Sequence, residues 1–184
     1  MKLLLVSRNE HKLRELRRAL PTWDIELLDT PDQPVETGTT FLENARLKAR
    51  HGRVQARPED WVAGEDSGIE VAALDGRPGV ESARWTAEPV SRLLAELEGV
   101  VDRRARYVCE LVALSPDGAE FLGTGILEGH IARGARGSEG FGYDPIFVPL
   151  GEELTVAELG NAWKAANSHR AKAAGALSDA LVRE

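Results

Sequence analysis

Apolar positions along this chain recur with two periods, and the places where the period changes mark its elements. Residues 2–6, Lys2-Leu3-Leu4-Leu5-Val6, form an apolar run too short for a signal h-region, which predicts a buried strand. The spacing then shifts to Leu13, Leu16 and Leu20, the stripe of an amphipathic helix, with Ser7-Arg8-Asn9-Glu10 as its start. Residues 25–28 predict a second short strand and residues 31–38 a polar loop. Thr40 and Glu43 have capping-box spacing, and Phe41, Ala45, Leu47 and Ala49 begin a helix that runs towards Ala56. A third strand is expected at residues 61–63, and a short helix at 91–97. Residues 107–114 and 120–127 read as strands joined across a turn, Ser115-Pro116-Asp117-Gly118. Residues 129–142 are glycine-rich and loop-like, and 146–148 predict a final strand. Asn167 or Ser168 caps a last helix with Ala173, Leu177 and Leu181 along one side. Strands that alternate with helices and then pair as a hairpin give an α/β class with an antiparallel-containing sheet.

Composition narrows the field. With 184 residues, 42% of them hydrophobic, the chain suits one globular domain with an ample core, and no repeat or long linker divides it. A net charge of −7 argues against nucleic acid as a partner, because its binders usually carry a basic face. A small phosphorylated ligand gripped by a few local cations is compatible with that charge. The lone Cys109 makes no intramolecular disulfide and is expected to be a buried thiol. No apolar run approaches the ~20 residues of a membrane span, so a cytoplasmic protein without a membrane partner is expected.

Candidate chemistry lies in five places. Trp61-Val62-Ala63 leads into Gly64-Glu65-Asp66-Ser67-Gly68, the composition of a strand end opening into a tight turn with Gly68 at positive φ. Glu65 and Asp66 should point to opposite faces, and a carboxylate there suits Mg²⁺, a hard cation that takes oxygen ligands. A solvated acidic turn has the same composition. Ser7-Arg8-Asn9-Glu10-His11-Lys12 joins strand to helix, where backbone N–H groups favour anions, although a capped surface helix reads alike. The passage lacks GxxxxGK[ST] and GxGxxG, so neither a P-loop nor a dinucleotide fold is supported. Glu36 precedes the second helix and Lys48 projects from it. Gly140-Phe141-Gly142-Tyr143-Asp144 sets aromatic rings among glycines, as a stacking platform for a planar group or as an aromatic corner. Lys164 and Ser168-His169-Arg170 gather cations at the last helix.

Together these segments resemble the inosine triphosphate pyrophosphatase family, nearly end to end. Ser7-x-Asn9-x-x-Lys12-x-x-Glu15 is similar to its opening motif, and Glu36-Thr37-Gly38 with Phe41-x-Glu43-Asn44-Ala45-x-x-Lys48-Ala49 to its second. Glu65-Asp66-Ser67-Gly68 through Pro78-Gly79 and Ser82-Ala83-Arg84 resembles the third. Residues 140–147 and Ser168-His169-Arg170 match the last two. Three departures stand out. Glu65 occupies the place of the first of two aspartates, the region after Arg84 is short, and Trp163 precedes Lys164 in what is expected to be a loop.

The resemblance implies a mixed, twisted central sheet flanked by helices, with two lobes and an active-site cleft between them, all within one domain over residues 1–184. It implies hydrolysis of ITP, dITP and XTP to the monophosphate and pyrophosphate, with Mg²⁺, or Mn²⁺ in its place, by a homodimer. By the same resemblance Glu36 and Asp66 hold the metal, and Asp66 activates water. Ser7, Arg8, Asn9, Glu10, His11, Lys12, Lys48, Ser67 and Lys164 meet the substrate, the lysines on its phosphates. Phe141 stacks on the base, Gly142 and Tyr143 line its site, and Asp144, His169 and Arg170 hold the nucleoside and read its edge. Donors facing a 6-keto group would be left unpaired against adenine, at ~1–3 kcal/mol for each buried group.

Overall fold

The computed structural model describes residues 1–30 and 32–182. Its elements run β1 (Lys2–Val6), α1 (Glu10–Ala19), β2 (Asp24–Leu27), α2 (Phe41–Gln55), β3 (Trp61–Val71), α3 (Pro89–Glu96), β4 (Arg104–Leu114), β5 (Glu120–Ile131), β6 (Phe147–Pro149), α4 (Val156–Asn167) and α5 (His169–Val182). The strands form one sheet in the order β2-β1-β3-β4-β5-β6. β1 is parallel to both β2 and β3, and β5 is antiparallel to β6, so the sheet is mixed and the α/β class holds.

The chain forms two compact units. The first comprises Met1–Asp66, Cys109–Gly125 and helix α5. Here the pleat of β1 sorts its apolar residues onto two faces. Leu3 and Leu5 join Leu13, Leu16 and Leu20 of α1 and Ala173, Ala174 and Leu177 of α5 in one core cluster. Leu4 and Val6 pack with Leu28 and Val62 on the other face, where α2 lies. Ala45 and Ala49 of α2 meet Val112 and Leu114 of β4. Helix α2 and β3 are in close contact at Gly64, where a Cβ would stand 2.0 Å from the Ala45 carbonyl oxygen and 2.5 Å from the Ala49 nitrogen. Nothing larger than glycine fits beneath α2.

The second unit comprises Ser67–Val108 and Ile126–Ser168. Its core gathers Ile69, Val71, Leu93, Leu97, Tyr107, Leu127, Ile131, Tyr143, Ile146 and Phe147. The Tyr143 hydroxyl, expected near the substrate, donates to the Ser82 carbonyl at 3.1 Å, and the ring is buried in this core. Ser82 in turn accepts from the Ile69 N–H at 2.9 Å and so ties its short 3-10 turn to β3.

Several expected boundaries move. β3 does not end at Ala63. It continues through Glu65-Asp66-Ser67-Gly68 to Val71, so these residues are strand, and Gly68 is not among the residues at positive φ. A place inside the sheet, between β1 and β4, and buried side chains on both faces outweigh the turn-like composition. β5 also runs three residues into the predicted glycine loop, to Ile131. Lys164 belongs not to a loop but to α4, a helix whose capping box at Thr155 and Glu158 was legible in the sequence and overlooked. The hairpin turn is as expected: the Gly118 N–H donates to the Ser115 carbonyl at 3.0 Å. In the polar loop at 31–38, Pro31 lies outside the described residues.

Candidate functional site

In the first unit the alternation of β3 sends its two acids to opposite faces. Odd positions face α1 and α5. Glu65 is fully buried there, with Lys12 Nζ at 2.6 Å from Oε2 and Arg170 Nη2 at 2.9 Å from Oε1. The Cys109 thiol donates to the same Oε1 at 3.3 Å, which makes it the buried structural thiol anticipated. Burial alone would raise the Glu65 carboxyl, but Arg170 and Lys12 outweigh it and hold the group well below the usual range. Burial likewise pushes the Cys109 thiol up, and the Glu65 charge adds to that.

Asp66 faces α2. Its Oδ1 accepts from Lys48 Nζ at 2.8 Å, and its Oδ2 from Asn44 Nδ2 at 3.1 Å. Lys48 Nζ also stands 2.5 Å from Glu36 Oε1 and donates to the Glu65 carbonyl at 3.0 Å. One lysine therefore bridges two carboxylates. Burial raises Asp66 above the ordinary aspartate value, and Lys48 only partly reverses it. For Lys48 burial pulls the other way, yet Asp66 and Glu36 keep the ammonium charged and raised.

Helix α1 presents its N-terminus in the same unit. Asn9 Oδ1 caps it by accepting from the N–H groups of His11 and Lys12, at 2.9 and 3.3 Å, and Ser7 Oγ accepts from the Asn9 N–H at 3.0 Å. This anchors Ser7 and Asn9 as turn-forming residues and fixes Lys12 in the first turn. Arg8, Glu10 and His11 are exposed around it, with His11 Nδ1 3.0 Å from Arg14.

Arg170, expected to read the base edge, is buried, with Nε and Nη2 on Glu65 Oε1 and Nη1 on Glu15. Its guanidinium is spent joining α1, β3 and α5, since a buried cation needs its counter-charges close. The neighbouring His169 opens α5 and is also buried. Glu15, which the resemblance placed in the opening motif without a role, is the second carboxylate of this knot.

The second unit holds a separate constellation. Asp144 is buried and accepts from Lys164 Nζ at 2.6 Å, from the Phe141 N–H at 2.8 Å and from the Tyr107 hydroxyl at 3.2 Å. Lys164 Nζ lies 4.1 Å from the centroid of the Phe141 ring, a cation–π contact. Phe141 and Ser67 are half-buried, and Gly142 is exposed at φ 62. Sequence reasoning missed Tyr107, whose only signal was an aromatic residue at a buried strand position.

The donor set of the first unit suits a hard cation. Glu36 and Asp66 direct an oxygen each at one point, now taken by an ammonium. No three His, Cys, Asp or Glu side chains form a metal-holding group among the described residues. Magnesium, however, is commonly held by one or two carboxylates together with substrate phosphates. No helix among the described residues is long and apolar enough to cross a membrane.

The comparisons with known proteins agree along the whole chain. The Ham1 family model matches residues 3–180. A dITP/XTP pyrophosphatase of Nostoc sp. is 44% identical, over 95% of this chain and 91% of its own. One of Corynebacterium glutamicum is 41% identical, over 100% and 98%. Among solved structures, the Staphylococcus aureus Ham1 protein superposes with a TM-score of 0.87 at 34% identity, covering 100% of this chain and 99% of that one. A HAM1 protein from Coxiella burnetii gives a TM-score of 0.86 at 37% identity, covering all of both chains.

Proposed function

The chain belongs to the Ham1 family, and on that premise we propose that it is a nucleoside triphosphate pyrophosphatase. Its substrates are the non-standard purine nucleotides dITP, XTP and ITP, cleaved to the monophosphate and pyrophosphate. The observation that carries this reading is Lys48 Nζ poised between Glu36 and Asp66. Cleavage between phosphates asks mainly for positioned charge, and a buried strand acid with a bridging lysine supplies it.

Glu36 and Asp66 would hold Mg²⁺, or Mn²⁺ in its place, which when bound neutralises phosphate charge and acidifies a water. Asp66 takes the proton of the attacking water. With Mg²⁺ on its carboxylate Asp66 would be a weaker base than the metal-free group, and the metal would offset this by acidifying the water it holds. Lys12 and Lys48 neutralise the phosphate oxygens, and the positive end of the α1 dipole favours the same anion. Ser67, next along β3, adds a hydroxyl donor. In the second unit Phe141 supplies a face for the purine, with Lys164 fixed beside it. His169 remains assigned to the nucleoside. Arg170 becomes a positioning residue that keeps Glu65, and with it β3, in register.

The enzyme is further proposed to act as a homodimer in the cytoplasm. Pyrophosphate release from dITP, XTP, ITP, GTP and ATP, with and without Mg²⁺, tests the activity. The first three should turn over and the last two poorly, and every rate should collapse on chelation. Equal turnover of ATP would refute the base selectivity. Light scattering should give twice the chain mass, and a monomer with full activity would remove the dimer from the proposal.

A further inference from the structure

Helix α4 is broken. At Gly160 the backbone takes φ 85 and ψ 173, so the element is two helical pieces, and the second, from Asn161 to Asn167, carries Lys164. A helix that restarts leaves its first N–H groups without intrahelical partners. Here the partner comes from the glycine loop. Glu139 Oε2 accepts from the Asn161 backbone N–H at 2.8 Å and from Asn161 Nδ2 at 2.7 Å. The same carboxylate lies over Gly160, where a Cβ would stand 3.3 Å from Oε2 and 3.4 Å from Oε1. Glycine at 160 thus serves two needs at once: a positive φ, and room for the acid.

The loop is seated against α4 at a second place. A Cβ on Gly137 would stand 2.4 Å from the Ala157 carbonyl carbon, so the loop backbone rests on the first helical piece. Two rungs then join the loop to the second piece: Glu139 to Asn161, and Asp144 to Lys164. Phe141 lies between them in sequence. Asn161 precedes Lys164 by three residues, just under one helical turn. The first rung therefore sets the rotation and height from which Lys164 reaches Asp144 and the Phe141 ring.

We propose that Glu139 is a positioning residue for nucleotide binding: it caps the restarted helix from the loop and so holds Lys164 against Asp144 and Phe141. This rests on the pyrophosphatase reading for its consequence in turnover, though not for its geometry. Its effect is on the binding of substrate: Glu139 is exposed, its carboxylate is engaged by Asn161 beside Gly160, and its own N–H donates to the Ala157 carbonyl at 3.4 Å on the first helical piece.

The test separates the two levels. Amine labelling with peptide mass spectrometry reads Lys164 without any turnover, with the half-exposed Lys2 as internal reference. Lys164 should label slowly in the wild type. Glu139→Ala and Gly160→Ala should each speed its labelling severalfold relative to Lys2. Each should also raise KM for dITP about tenfold, the loss expected of a helix cap, with kcat little changed. Glu139→Gln keeps an oxygen acceptor and should restore both readouts. Slow Lys164 labelling in the two alanine variants would overturn the proposal, and so would fast labelling with an unchanged KM. A wild type inactive on dITP would remove the pyrophosphatase reading instead, and the labelling would still decide whether the loop holds the helix.

Discussion

Each compact unit buries one lysine on one aspartate, Lys48 on Asp66 in the first and Lys164 on Asp144 in the second, at 2.8 and 2.6 Å. The pairs look alike and are built for different ends. Asp144 receives an ammonium, a backbone N–H and a phenol. Such a carboxylate is a clamp, its capacity given to local order. Asp66 receives an amide and a lysine that it shares with Glu36, and burial lifts it above the ordinary aspartate value. A second acid on the same ammonium leaves negative charge gathered at one point, as a cation site requires. The number and sharing of donors, more than residue type, separates an acid that holds structure from one available to chemistry.

The strongest way to break this contrast is Asp66→Asn. Volume is kept, and both the proton acceptor and the charge are lost, so kcat should fall by about three orders of magnitude or more. Circular dichroism should be unchanged. Near-normal turnover would put Asp66 alongside Asp144 as a clamp.

Next in size is the knot behind β3. Arg170→Ala takes the guanidinium from Glu15 and leaves the buried Glu65 with Lys12, and should cost about 3–5 kcal/mol in denaturant unfolding, while the ratio of ITP to ATP turnover stays put. A stable variant with a compressed ratio would return Arg170 to the base. Acid refines the same test. The Glu65 carboxyl is depressed in the folded state, so its contribution is whole above its unfolded value of about 4.3 and is lost as pH falls further. The stability gap between wild type and Glu65→Gln should therefore be widest at neutral pH and narrow below that value.

The smallest effect sharpens the division between units. Phe141→Ala should weaken dITP by about 1–3 kcal/mol, the worth of one stacked base, and leave inhibition by inorganic tripolyphosphate alone. Lys12→Ala should weaken both in proportion. The reverse pattern would exchange the roles of the two constellations.

Where sequence and structure agree, the signal was local. The helix start within Ser7 to Glu10, the box at Thr40 and Glu43, and the turn at Ser115 to Gly118 are decided within a few residues, and each appears where it was expected. The opposed directions of Glu65 and Asp66 follow from the pleat alone. The errors lie where distant partners decide. Glu65 to Gly68 has the composition of a turn, and its place in the sheet between β1 and β4, with burial of its side chains, makes it strand. The ion pairs of Arg170 were not legible, because its acids, Glu15 and Glu65, lie far from it in the chain. Tyr107 carried no motif at all. Its place on Asp144 exists only once β4 and the glycine loop are folded together.

Gly64 contributes no chemistry, yet it sets how mutation can explore this protein. With α2 resting on the bare backbone of β3, a single added methyl must push the helix that carries Asn44 and Lys48 away from Asp66. In a library scanned for activity, position 64 should therefore look as intolerant as an acid that does the work, although its filter is volume alone. Changes that alter the charge around Asp66 have to enter through Glu36, Asn44 or Lys48, because the floor beneath the helix offers no intermediate step.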